Sequence, residues 1–203
     1  MLKARFGAES KRMILALMIF LATATLAVVL NSTVGGYGWH LNWSISRYVG
    51  LELWSVMLFA IGNCFVAALM GSYLWRLGER WKMSKIYFVL VLVMAAALLW
   101  LSFCPIGFCD VGDMRSTVSL MHEFSSRTMF ITMMLIAATI VICRRAGRLA
   151  HALNVGYRVY ASFCVVGQLT RAEWFAPMVL VYESVYLIGF LLIMAYCGAS
   201  ARR

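Results

Sequence analysis

The stretch IYFVLVLVMAAALLWLSF, residues 86–103, decides the fold of this chain, because its 18 residues include no charged side chain. A helix of about this length crosses the hydrocarbon layer of a bilayer and satisfies its own backbone hydrogen bonds where water is absent. The composition of all 203 residues is similar: 64% are hydrophobic, 13% are charged, and the mean hydropathy is +0.86. Such values are far from those of soluble domains and indicate an integral membrane protein.

Five further blocks of the chain repeat this pattern. We therefore expect an all-α integral membrane protein, a six-transmembrane-helix bundle, with helices at about 13–30, 51–75, 86–103, 117–143, 155–169 and 178–197. The blocks and their connections use nearly every residue, so residues 1–203 form a single membrane domain. The fifth block is short for a membrane span. It crosses the bilayer only if the side chains of Arg158 and Arg171 extend (snorkel) toward opposite membrane interfaces. We keep the first block as a helix rather than a cleaved signal peptide, since its apolar stretch is long for a signal core.

Basic residues alternate between the two sides of the predicted bundle. Fourteen of the 18 lie on one side: Lys3, Arg5, Lys11, Arg12, Arg76, Arg80, Lys82, Lys85, Arg144, Arg145, Arg148, Arg158, Arg202 and Arg203. This asymmetry places both termini in the cytoplasm. Six of the eight acids lie on the exoplasmic side: Glu52, Asp110, Asp113, Glu123, Glu173 and Glu183. We expect a protein of a bacterial plasma membrane, whose net charge of +10 reflects orientation rather than nucleic-acid binding.

The longest polar interruption, CPIGFCDVGDMRSTVSLMHEFSSR at residues 104–127, falls on this exoplasmic side. Its two cysteines, Cys104 and Cys109, flank a Pro-Ile-Gly-Phe turn, and we predict that they form a disulfide. A redox-active pair and two free thiols are the alternatives. The spacing is unlike the C-x-x-C of thiol oxidoreductases.

The end of this stretch places polar residues on one face of a helix. Ser119, His122 and Ser126 recur at helical spacing, and beside them Glu123 and Arg127 stand four residues apart and can pair. This stripe could line a cavity with a binding or catalytic histidine. The alternatives are interfacial solvation with helix capping, which is the simpler interpretation, and metal ligation.

Glu183 lies inside the last apolar block, about one and a half turns after its start. An ionisable side chain at that depth suggests function unless it is a structural partner of Arg127, Arg171 or His122. Asn63 and Gln168 are interpreted as hydrogen-bond contacts between helices. Asn31 and Asn42 each begin a glycosylation sequon, which is relevant only in a eukaryotic secretory pathway.

No pattern in the chain predicts a cofactor or a resident metal. A haem would need a suitably opposed pair of axial ligands, and a catalytic zinc would need about three protein ligands. We find neither set in the sequence, and we expect no cofactor and no metal site.

Two segments carry a family resemblance: SISRYVGLELWSVMLFAIGN at residues 44–63 and FCPIGFCDVGDMRSTVSLMHEFSSRTMFI at residues 103–131. They resemble the uncharacterised six-helix family DUF-nine-nine-eight and its distant relatives, the Frag/DRAM/Sfk group. The resemblance covers about a quarter of the chain. It implies a six-helix bundle with cytoplasmic termini, and the eukaryotic relatives are associated with lipid organisation and membrane homeostasis. The matching positions are Ser46, Pro105, Asp110 and His122, whereas the two cysteines and Arg47 depart from the family pattern.

The sequence is consistent with three different functions. The first is a non-enzymatic protein with an acidic exoplasmic-facing cavity that binds a lipid headgroup or small cationic ligand through Glu52, Asp110, Asp113, His122, Glu123, Arg127 and Glu183. The second is an intramembrane hydrolase, in which His122 is the base for Ser119 or a water and Asp113 or Glu123 orients it. The third is a transporter or substrate-capture subunit. Membrane lipids are the expected partners, and a second copy or another membrane protein is left open.

Overall fold

The computed structural model describes residues 8–103, 117–142, 147–170 and 173–200. These ranges contain seven α-helices: α1 (Ala8–Thr33), α2 (Ile45–Val49), α3 (Leu53–Trp81), α4 (Lys85–Phe103), α5 (Thr117–Ile142), α6 (Gly147–Thr170) and α7 (Val179–Ser200). A short 3₁₀ turn, Ala176–Met178, precedes α7, and no β-strand occurs in the described ranges. The predicted all-helical class is confirmed.

Each of the six predicted apolar segments overlaps one of the six long helices. Four of these, α1, α3, α4 and α7, are long and apolar enough to cross a membrane. The chain is therefore an integral membrane protein with several spans. The short helix α2 was not predicted, since its five residues lie between two apolar blocks.

The helix ends differ from the predicted ones because a helix does not stop where its apolar run stops. α3 continues to Trp81, six residues beyond the predicted end at 75, and α6 begins at Gly147, eight residues before 155. Arg, Glu and Leu in these extensions are good helix formers, so polarity alone does not end the helix. Lys82, with a φ of 50°, ends α3 in the left-handed conformation.

The six long helices form a closed ring. Each one packs against the next in the chain, and α7 packs back against α1. Neighbours run antiparallel: Gly71 lies opposite Ala95 and Gly78 opposite Tyr87 where α3 meets α4. In this arrangement α3, α5 and α7 all run in the same direction.

Tyrosine hydroxyls join the helices of the ring through hydrogen bonds to backbone carbonyls. Tyr73 on α3 donates to Met194 O on α7 at 2.6 Å. Tyr186 on α7 donates to Phe130 O on α5 at 2.5 Å. Between helices in lipid, where apolar contact has little driving force of its own, such hydrogen bonds and close packing hold the bundle together.

One end of the ring carries α2, and we call it the α2 end; it contains the end of α1 and the starts of α3 and α7. Asn31, near the end of α1, is 1% exposed, and its Nδ2 donates to Tyr48 O at 2.7 Å and to Ser55 Oγ at 3.1 Å. The side chain of Asn31 thus ties α1 to both α2 and α3. In the folded chain the amide nitrogen of the Asn31 sequon is therefore buried and bonded, whereas Asn42 is exposed.

Candidate functional site

A cavity lies inside the ring, between α2 and the long helices other than α6. The volume that the centres of water-sized molecules can occupy in this cavity is about 60 Å³. A single water needs roughly 10–15 Å³ by the same measure, so the cavity has room for a few waters or one small organic group. Five polar residues are on its wall: Ser46, Asn63, His122, Ser126 and Glu183.

The rest of the described wall is apolar. Three phenylalanines contribute to it, Phe20, Phe59 and Phe130, together with Met, Leu, Ile and Val side chains. No lysine or arginine is among the described residues that line the cavity. A largely apolar pocket with a few converging polar groups is the usual form of a small-molecule site.

Glu183 stands on α7 one turn after the helix begins at Val179. Its carboxylate atom Oε2 accepts a hydrogen bond from the backbone N–H of Ile45 at 3.2 Å, which satisfies the first N–H of α2. Glu183 also borders a second cavity of about 10 Å³, beside Gln168 on α6. In the described part of the chain, no lysine or arginine forms a salt bridge with this carboxylate.

Two of the three residues of the predicted polar stripe share this wall. His122 is 4% exposed and lines the cavity, and Ser126 lies one turn further along α5. Ser126 Oγ accepts a hydrogen bond from Gln168 Nε2 at 3.5 Å, which confirms Gln168 as a contact between helices. Ser119 is in the first turn of α5, and its side chain lies outside the described residues.

The predicted ion pair between Glu123 and Arg127 is confirmed. Both side chains are about one third exposed, at 35% and 29%, and neither is among the described residues that line the cavity. An exposed pair at this spacing on a helix contributes about 0.3–0.5 kcal/mol. Arg127 is therefore the partner of Glu123 and not of Glu183. Arg171, the other proposed arginine partner, lies outside the described residues.

Glu52 does not line the cavity either. It precedes α3, and its Oε1 accepts a hydrogen bond of 2.9 Å from the hydroxyl of the exposed Tyr37. This hydrogen bond and the charge of the Glu52 carboxylate raise the pKa of Tyr37 above its usual value. Glu52 and Glu123 are both bonded outside this cavity, and their predicted part in ligand binding stays a prediction.

Four predicted site residues, Asp110, Asp113, Cys104 and Cys109, lie outside the described residues, so the disulfide stays a prediction. Among the residues that the structure does describe, no group of three or more His, Cys, Asp or Glu side chains could hold a metal ion.

Sequence reasoning missed the role of Asn63. Its side chain is 1% exposed and lines the cavity, and its Oδ1 has no hydrogen-bond partner in the described part of the chain. The interpretation of Asn63 as a contact between helices is therefore not supported for this oxygen atom. A single amide in an apolar helix does indicate a polar contact inside the bundle. The sequence does not show whether that amide faces another helix or a cavity.

No family model, curated protein or solved structure matches this chain. The resemblance to the DUF-nine-nine-eight family accordingly stays a prediction.

Proposed function

We propose that this protein is a six-span membrane protein whose cavity binds the ammonium group of a small organic cation. The ligand is either a free amine or the headgroup of a membrane lipid, because both present the same chemistry. Both termini are cytoplasmic, and the α2 end faces the opposite side of the membrane. The protein acts by binding rather than by catalysing a reaction.

The orientation is supported by where the described basic residues lie. Arg76, Arg80 and Lys85 are at the end of α3 and the start of α4, which is the end of the ring opposite α2. Positive charge is retained on the cytoplasmic side of membrane proteins. With the α2 end outside, Glu183 lies in the outer half of the bundle and the cavity extends from there to its middle.

The observation that carries the binding proposal is the carboxylate of Glu183. It faces a mostly apolar cavity within a membrane-spanning helix, and no described lysine or arginine pairs with it. An ionised carboxylate in such surroundings is costly unless a cation or water compensates its charge. A monovalent organic cation supplies that compensation, and its alkyl carbons contact the apolar side chains of the wall.

Ligand-dependent thermal unfolding of the purified protein tests this proposal. At constant ionic strength, methylammonium chloride should raise the Tm of the wild-type protein, because a ligand that binds only the folded state stabilises it. Sodium chloride and the neutral alcohol methanol are the ligand controls, and neither should raise the Tm. The Glu183→Gln variant should lose the response to methylammonium.

A matched variant separates the site from the general charge of the protein. Glu79 is an exposed acid on α3, and it accepts a hydrogen bond from Trp75 far from the cavity. Glu79→Gln removes the same charge and should keep the full response to methylammonium. An equal response in Glu183→Gln and Glu79→Gln would overturn the proposal.

Two nanodisc preparations distinguish a free amine from a lipid headgroup. If the ligand is a lipid, protein in phosphatidylethanolamine should no longer respond to methylammonium, because the headgroup already occupies the cavity. Protein in phosphatidylglycerol should still respond. If the ligand is a free amine, the response should be the same in both lipids.

A further inference from the structure

The amide of Asn63 restricts the chemical class of ligand that fits the cavity. Its Oδ1 is a hydrogen-bond acceptor that lacks a donor in the described part of the chain, although the side chain is 1% exposed. Leaving a buried acceptor unsatisfied destabilises the folded state, because its hydrogen bonds to water are not replaced. Asn63 lines the cavity, and rotation of its amide about the Cβ–Cγ bond would turn this enclosed oxygen toward a donor located there.

Asn63 on α3 and Glu183 on α7 line the same cavity. Both helices pack against α1, and the Tyr73 hydroxyl on α3 reaches Met194 O on α7. The Asn63 amide and the Glu183 carboxylate therefore belong to the wall of one cavity.

These two acceptors require a cation that also donates hydrogen bonds. A quaternary ammonium ion carries the charge but has no N–H, so it leaves Asn63 Oδ1 unsatisfied. Calcium or magnesium ions require about six or more oxygen ligands, which this mostly apolar wall does not supply. A primary or secondary ammonium group gives its charge to Glu183 and an N–H to Asn63, while its alkyl part contacts the apolar wall.

We infer that the cavity selects a primary or secondary alkylammonium group over a quaternary one, with Asn63 as the residue that determines this specificity. The inference rests on the proposed function, since it names the class of ammonium ligand. It distinguishes an ethanolamine-type group from a choline-type group within the same site.

Equilibrium binding of a matched pair of cations to the purified protein tests this inference. Tert-butylammonium and tetramethylammonium have the same charge and the same heavy-atom composition, and only the first carries N–H donors. Tert-butylammonium should bind the wild-type protein at least about tenfold more tightly, since a hydrogen bond to a charged group is worth roughly 1.5–3 kcal/mol. Along the series from methylammonium to tetramethylammonium, the affinity should fall most at the last step, where the last N–H is lost.

The Asn63→Leu variant should reduce the difference between the matched pair to less than about threefold, because its side chain has similar size and no acceptor. If this variant does not fold, the comparison of the two cations on the wild-type protein still tests the inference. Equal affinities for the pair, or no binding of either, overturn the inference, and so does an unchanged preference in a folded Asn63→Leu protein. If methylammonium binds in these cases, the proposed function survives; if no cation binds, both fail.

Discussion

The Glu183 carboxylate on α7 accepts a hydrogen bond from the backbone N–H of Ile45, a residue 138 positions earlier in the chain. Ile45 begins α2, and both Ile45 and the next residue, Ser46, line the cavity. One side chain therefore supplies the negative charge of the proposed ligand site and also holds the short helix that closes it.

Two substitutions of Glu183 should separate these roles. Glutamine keeps an oxygen that accepts from the Ile45 N–H, whereas leucine removes the acceptor. A lost cap of this kind costs about 1 kcal/mol, so amide exchange in α2 should become roughly fivefold faster in Glu183→Leu. Hydrogen exchange with mass spectrometry on peptides that cover residues 41–50 measures this rate. The same rate in wild type, Glu183→Gln and Glu183→Leu would show that the cap does not hold α2.

Asn31 should be a major determinant of stability, because it is buried and its side chain joins α1 to α2 and α3. Asn31→Ala removes two buried hydrogen bonds and leaves Tyr48 O without that donor, so we expect a loss of about 2 kcal/mol in the free energy of unfolding. Asn42→Ala is the matched control, since Asn42 is exposed, and it should change stability by less than about 0.5 kcal/mol. Denaturant unfolding in detergent gives both values. Equal effects of the two substitutions would mean that the Asn31 contacts do not form.

Gly62 should be required for the close approach of α1 and α3. A Cβ at this position would lie 2.5 Å from Thr23 Cγ2, so Gly62→Ala should destabilise the protein by about 1–3 kcal/mol. A Cβ at Gly156 on α6 would lie in open space, with nothing from a neighbouring helix within 4 Å, and Gly156→Ala should be neutral or stabilising by up to about 1 kcal/mol. The Tm values of the two variants compare these effects directly. A Gly62→Ala protein as stable as wild type would contradict the packing of α1 on α3.

Tyr37 should titrate at higher pH than an isolated tyrosine. Its hydrogen bond to Glu52 favours the protonated phenol, so the contact stabilises the fold below about pH 10 and is lost as pH rises through the raised pKa. The difference in tyrosinate absorbance between wild type and Tyr37→Phe isolates this titration. In the Glu52→Gln background the midpoint should return toward about pH 10. An unchanged midpoint in that background would exclude the contact with Glu52.

The helices were predictable from sequence because apolar runs of spanning length have few other stable forms in a bilayer. Their ends were not, because helices such as α3 and α6 continue into polar sequence. The pair formed by Glu123 and Arg127 was predictable because it is local, with both residues on one helix. The contact between Tyr37 and Glu52 depends on how the loop between α1 and α3 folds, and no local pattern specifies it.

The residues that line the cavity were only partly predictable from the sequence. Glu183 and His122 were identified because charged and polar groups are conspicuous in apolar helices, and the structure places both on one wall. Helices that are apolar on every side do not reveal which face points inward. The contribution of Asn63 to this wall therefore became clear only from the ring of helices.

Equilibrium dialysis with radiolabelled methylammonium tests most directly whether Glu183 forms a cation site. We expect saturable binding with one site per chain in the wild-type protein and in Glu79→Gln, and affinity at least about tenfold weaker in Glu183→Gln. Saturable binding of equal affinity in Glu183→Gln, or no saturable binding to the wild-type protein, would contradict this account.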